Sequence, residues 1–203
     1  PFHQAYDLSE QLLQSAKNKT KPISPSLSAL DYHVLYDSSG VDLDGIRGKF
    51  KGFKVARPYI VSNKTAKNLI DKTETKDVND KFIENHHFSQ LAERVKVMRE
   101  SDKEDPNKRK IPNSQLHTLR ERLHWGTGEA DAFARTIAHR YDKPEHNDEP
   151  FRQLYFEKEK GKESLFFEEK DDTGRIHKLT HFLDAMEIAE FWEGFEDGGE
   201  GNE

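Results

Sequence analysis

Two hydrophobic periods alternate along this chain. From Leu30 to Gly40 (LDYHVLYDSSG) the period is two, with Tyr32, Val34 and Tyr36 to one side and Asp31, His33, Leu35 and Asp37 to the other. β-Branched and aromatic side chains on that pattern predict a strand, and Asp-Ser-Ser-Gly predicts the turn that ends it. Before it, Phe2 to Lys17 repeats apolar positions at helical spacing (Phe2, Ala5, Tyr6, Leu12, Leu13, Ala16), with Pro1 suited to a first helical turn. Asn18 to Ser28 reads as a loop. Val41 to Phe50 reads as a polar linker or a single helical turn capped by Asp42. Phe53 to Val61 (FKVARPYIV) is a second extended run, which Pro58 places at an edge or bend.

Beyond Ser62 the helical period dominates. Thr65–Asp71 and Val78–Ile83 are short helical pieces, and Phe88–Glu100 is a longer helix with Leu91, Val95 and Met98 on one face. Ser101–Arg109 is a charge-rich loop, expected to be mobile. A helix capped by Asn113 or Ser114 runs to Leu123, Gly126-Thr127-Gly128 breaks it, and Glu129–Tyr141 forms the next, so the pair predicts an αα-hairpin. Ser164–Glu169 and Arg175–Thr180 flank Asp171-Asp172-Thr173-Gly174 as a β-hairpin. A last helix starts at Thr180 or His181 and carries Phe182, Leu183, Met186, Ile188, Ala189, Phe191 and Trp192. Gly194 to Glu203 is acidic and glycine-rich, and is expected to be disordered. The architecture expected is α+β, with a sheet segment over 1–62, a mainly helical region with one hairpin near 164–180 over 63–195, and a tail over 196–203. No internal repeat is present.

Composition narrows the classes. Of 203 residues, 33% are hydrophobic and 34% charged, so the core is lean, yet 13 Phe, 6 Tyr and 2 Trp argue for a folded chain. The net charge of −6 offers no overall basic field for nucleic acid. The absence of cysteine excludes disulfides, cysteine zinc sites and thiol nucleophiles. No apolar run approaches the ~18 residues of a membrane helix, so a cytoplasmic location is expected. The chain opens on Pro1 rather than Met, directly at a helix start, which points to a piece of something longer.

Several side chains are candidates for chemistry. His86-His87 is adjacent, so the two rings diverge, and a surface or helix-start pair is favoured over one metal site. His117 and His124, with Asp131 or His139, would give a metal cluster, but no His-x-x-x-His supports it. His33 inside the strand reads as a satisfied interior histidine. Asp31, Asp37, Asp42 and Asp44 could hold magnesium, but turn and cap roles for Asp37, Asp42 and Asp44 are the favoured reading. Gly126-x-Gly128 is too short for a phosphate loop. Lys17, Lys19 and Lys21 suit a helix C-terminus, or a phosphate-facing edge. A metal-dependent hydrolase built on the scattered histidines is the least supported reading.

The order PFHQAYDLSEQLLQSAK, SALDYHVLYDSSGVDLDGIR, ARPYIV resembles the C-terminal half of the second palm domain in the large subunit of type III CRISPR effector complexes, or its stand-alone relatives. These palms are GGDEF-like, with a ferredoxin-like sheet. The likeness covers about the first 60 residues, and SQLHTLRERLHWG and HFLDAMEIAEFW resemble the helical region beyond the palm more loosely. It implies magnesium-dependent ATP chemistry that yields cyclic nucleotides or oligoadenylate in antiviral defence. It also implies an upstream palm half or another subunit as partner, with RNA reached through other subunits. The helix end Leu12-Leu13-Gln14-Ser15-Ala16-Lys17 matches the family, and Lys17 is the nucleotide-binding residue the likeness implies. Asp31 and His33 match family positions as scaffold. The Gly-Gly-Asp-Asp motif is absent from this sequence, so the magnesium ligands are not in this chain, which alone is expected to be inactive. The alternative is a non-catalytic protein-interaction module of a defence complex.

Overall fold

A computed structural model describes residues 2–35, 42–48, 50, 52–73, 77–102, 105–171 and 173–192. The first helix, α1 (Phe2–Thr20), runs one turn past the expected end at Lys17. Lys17 and Lys19 in its last turn favour the negative end of the helix dipole, and Thr20 Oγ1 donates back to the Ala16 carbonyl at 2.9 Å. Leu8, Ala16 and Thr20 are its buried residues.

Over the described part of Leu30–Gly40, residues 30–35, the expected long strand does not form. Only β1 (Ala29–Leu30) pairs, antiparallel with β3 (Tyr59–Ile60), and residues 31–35 are irregular. The cause is local. The Tyr32 amide donates to the Asp31 carboxylate at 2.8 Å, so a side chain takes a backbone group that a ladder would have used. The Asp31 carboxylate is then clamped by Arg47 at 2.6 and 3.0 Å, which fixes the irregular path. Positions 36–40 of that prediction lie outside the described residues.

The run Phe53–Val61 divides where Pro58 foretold a bend. The Arg57–Pro58 peptide is cis. Before it, β2 (Lys54–Val55) pairs parallel with β5 (Ile176–Thr180), and after it β3 joins β1 in a separate two-stranded sheet. The second sheet has the order β2-β5-β4, where β4 (Phe166–Lys170) and β5 form the predicted hairpin with Phe166 opposite Thr180 and Lys170 opposite Ile176. Its turn is tied by Asp171, whose Oδ1 accepts from the Thr173 and Arg175 amides, and Gly174 adopts φ +80°.

The helices are α2 (Leu43–Arg47), α3 (Ala66–Thr73), α4 (Asp77–His86), α5 (Phe88–Arg99), α6 (Asn113–Leu123), α7 (Thr127–Tyr141) and α8 (Phe182–Ala189). Asp42 sits at the N-cap position of α2 but its side chain makes no cap bond, contrary to the expectation. The α6–α7 hairpin turns at Gly126, whose φ of +127° is costly for any side chain. Leu116, Leu119 and Leu123 of α6 meet Ala130, Ala134 and Ile137 of α7 in the main core, together with Leu91, Val95 and Met98 of α5. Helix α8 is buried almost all round. Ser101–Arg109 is closed at its base, where Lys110 Nζ bridges Glu100 at 2.9 Å and Asp148 at 2.7 Å. A smaller core of Ile60, Leu69 and Ile83 sits under α3 and α4. The fold is α+β, and no helix among the described residues is long and apolar enough to cross a membrane.

Candidate functional site

The densest polar cluster lies inside the protein, where the β2–β3 corner meets α8. Asp184 and Glu187 are three residues apart on α8, so they face the same way. Arg57, at the corner, reaches both: Nε lies 2.9 Å from Asp184 Oδ1 and Nη2 donates to Glu187 Oε2 at 2.6 Å. Its Nη1 donates to the Tyr32 carbonyl at 2.8 Å, and the guanidinium lies over the Tyr32 ring at 4.6 Å. Asp184 Oδ2 accepts from the amides of Ala56 and Arg57 at 3.0 Å and from the Tyr59 hydroxyl at 2.9 Å. Tyr32 completes the ring by donating its hydroxyl to the Asp184 carbonyl at 2.8 Å.

Burial governs the electrostatics. It would lower the Arg57 guanidinium, but the Asp184 and Glu187 carboxylates outweigh it and Arg57 is raised. Burial pushes the Asp184 carboxyl up, while Arg57 and the Tyr59 hydroxyl pull it back. The Tyr59 hydroxyl is raised well above its ordinary value by burial and then by Asp184. His181, 2.9 Å from that hydroxyl through Nδ1, is driven well below its ordinary value by burial and then by the neighbouring Arg94 and His86, so it is neutral. Tyr59 has one proton to give. When Asp184 receives it, the Tyr59 oxygen accepts from His181 Nδ1–H and His181 Nε2 is left as a buried acceptor without a partner. Asp184 and Tyr59 are fully buried and Arg57 is 5% exposed, so no substrate reaches this cluster. It joins elements.

A second node gathers four elements around His86, which is 1% exposed. Its Nε2 lies 2.7 Å from Glu169 Oε2 of β4 and its Nδ1 lies 3.2 Å from the Pro58 carbonyl. Lys19 of α1 donates to the other Glu169 oxygen at 2.9 Å and lies over Phe82, which stacks on His86 at 4.2 Å. Burial would raise the Glu169 carboxyl, but His86 and Lys19 bring it down to about 2. Neighbouring His87 is the N-cap of α5, with Nδ1 accepting from the Ser89 amide. The helix-start reading of the pair therefore holds and the surface reading does not, since both rings are buried. Arg94 of α5 is a buried cation satisfied by carbonyls, those of Gln90, Leu154 and Tyr155.

The remaining sequence candidates are dispersed. Lys17 is exposed on the outer side of α1, in a shallow groove of about 600 Å³ that it shares with Asp7, Glu10, Gln11, Leu13 and Gln14. Lys21 is exposed beyond the helix end. Asp31 belongs to Arg47, and Asp42 and Asp44 sit at the start of α2; Asp37 lies outside the described residues. His117 and His124 line one groove with Arg120 and Glu121, but Asp131 instead accepts from the Ser164 hydroxyl and the Leu165 amide. His33 is half-buried with Nδ1 unpartnered, not the satisfied histidine expected. No group of three His, Asp or Glu among the described residues could hold a metal ion, so these side chains do not fit the implied magnesium. No sequence spacing joins Arg57 to Asp184 and Glu187. Their signal was charge in apolar runs: Arg57 within KVARPYIV, and Asp184 and Glu187 within FLDAMEIA. No known protein family and no curated protein matches the chain.

Proposed function

We propose that the chain is the C-terminal portion of a palm-type nucleotidyltransferase or nucleotide cyclase like the large subunit of type III CRISPR effectors, working in the cytoplasm in antiviral defence. The observation that supports it is the unfinished state of the first α/β layer. Helix α1 packs beside β1, and β1 pairs with β3 alone among the described residues, leaving a strand edge without a ladder partner. On α1, Phe2, Tyr6 and Leu13 fall on one face and are 85%, 56% and 54% exposed, so this layer has apolar surface that a further element would cover. A catalytic half carrying Gly-Gly-Asp-Asp would supply such neighbours and would hold the magnesium. This chain's part is to complete the sheet and to present Lys17 as a flexible point charge toward the phosphates of ATP.

The test is to produce the chain joined to a palm half that carries Gly-Gly-Asp-Asp and to measure magnesium-dependent ATP consumption, with Lys17→Ala alongside. Turnover that falls in the variant is expected. Absence of turnover in the joined protein would sink the reading, and an unchanged variant would remove Lys17 from it. A second reading, a non-catalytic interaction module, is favoured by the sealing of the densest polar cluster inside the protein. A stable partner recovered with an inactive joined protein would select it.

A further inference from the structure

We propose that His181, where β5 passes into α8, is a proton-operated release for the interior: a second ring proton forces apart the elements packed around it. The inference does not depend on the palm reading. His181 is 1% exposed and occupies the N-cap position of α8, where the Ala185 amide donates to its carbonyl at 2.9 Å. Aromatic side chains from three other segments enclose the ring. Phe167 of β4 stacks on it at 5.0 Å, Phe156 stacks at 6.0 Å, and Tyr59 of β3 lies tilted at 5.6 Å. Nδ1 lies 2.9 Å from the Tyr59 hydroxyl, and Nε2 is buried without a hydrogen-bond partner.

The neutral ring fits this setting and the charged ring does not. With its one proton on Nδ1, the ring donates to the Tyr59 oxygen, Tyr59 donates to Asp184, and Nε2 carries only a lone pair. A second proton goes to Nε2, where it meets no acceptor in a site closed to water. The charged groups around the ring do not compensate. Arg94 of α5 and His86 of α4 act on it from other elements, and both oppose a proton there. Arg94 bonds oxygens of Gln90, Leu154 and Tyr155 rather than a carboxylate. The carboxylates stand one step away and are engaged. Asp184 of α8 is reached through Tyr59 and holds Arg57, while Glu169 of β4 is bonded to His86. Helix α8 is buried almost all round, so the ring reaches water only when β3 and β4 part from α8. Burial fixes the direction. The folded chain binds this proton more weakly than the unfolded chain, where the imidazole titrates at its ordinary 6.5. The contribution is full above pH 6.5 and is lost as pH falls below it.

The experiment is urea unfolding of the full chain between about pH 8 and 5, comparing the parent with His181→Asn. The asparagine keeps a donor for the Tyr59 oxygen and has no proton to take up. Asp142, raised by burial to about 6, acts in the opposite direction over part of this range, so His181 is read as the difference between the two chains. Relative to the variant, the parent's unfolding constant should rise close to tenfold for each pH unit below 6.5. Parent and variant curves with the same slope overturn the proposal. Long-range nitrogen–proton NMR correlations of the folded parent give a reading that needs no variant. They should show a single ring proton, on Nδ1, down to the lowest pH at which the chain stays folded. A folded His181 that takes up its second proton near 6.5, or one that carries its single proton on Nε2, overturns the proposal. If His181→Asn does not fold, this NMR reading decides alone: a neutral ring protonated on Nδ1 upholds the release and either other state sinks it.

Discussion

Arg57 and Asp184 lie 127 positions apart in sequence and make their contact at 2.9 Å, with both side chains removed from solvent. The Arg57 amide also donates to the same carboxylate, so one acid holds both the backbone and the side chain of one residue. A buried ion pair is weak evidence of stability by itself, but removing one partner strands the other charge. Asp184→Asn and Arg57→Met should each cost about 3–5 kcal/mol, read as a lower urea midpoint. The double replacement of Arg57 by Met and Asp184 by Leu should cost less than the two singles summed, because the only charge it strands is Glu187, while the Ala56, Arg57 and Tyr59 donors lose the Asp184 acceptor in any variant that lacks it. Additive losses would show that the two residues do not act as a pair.

Glu169 predicts an acid limit on the link between α1 and the β4–β5 hairpin. Its carboxyl is ordinarily at 4.5 and is held at about 2 when folded. The folded chain therefore binds that proton more weakly than the unfolded one. The contribution is present above pH 4.5 and is lost as pH falls toward 2. In thermal melts across that window, the parent should lose its advantage over Glu169→Gln. A constant difference between the two would mean that His86 and Lys19 do not stabilise the carboxylate.

The elements that read well from sequence are those whose stability is local or periodic. The α6–α7 hairpin was legible because Leu116, Leu119 and Leu123 repeat at helical spacing and Gly126 marks the break. The β4–β5 hairpin was legible because Asp171 and Gly174 are turn residues between two apolar runs. In the strand expected at Leu30–Gly40, residues 31–35 are irregular because periodicity cannot show that Asp31 bonds the Tyr32 amide or that Arg47 claims Asp31. The polar core was hidden for the same reason. Arg57 and Asp184 meet only after the chain has folded, and no spacing rule connects residues so far apart.

Asp142 predicts a titration of opposite sign. Burial raises its carboxyl from 3.8 to about 6, against the lowering effect of the Phe151 and Arg152 amides that it accepts from. The folded chain binds this proton more tightly, so the contribution is full below pH 3.8 and is lost as pH rises through 6. Relative to Asp142→Asn, the parent should become less stable between those two pH values. A parent that gains stability there, as it does through Glu169 at lower pH, would contradict the raised value.

Gly126 and Gly128 predict a pair of substitutions with opposite outcomes two residues apart. Gly126 precedes α7 with φ +127°, a conformation that L side chains rarely adopt, although an added Cβ meets nothing within 4 Å. Gly126→Ala therefore pays in backbone strain alone, about 1–3 kcal/mol. Gly128 lies inside α7, and a Cβ there also meets nothing within 4 Å. Alanine removes freedom from the unfolded chain at that position, so Gly128→Ala should stabilise by about 0.4–1 kcal/mol. Chemical denaturation of the two variants separates the effects cleanly, since the sites share the corner and differ in backbone conformation. Equal midpoints for the two would mean that the turn at Gly126 relaxes to a conformation open to any residue.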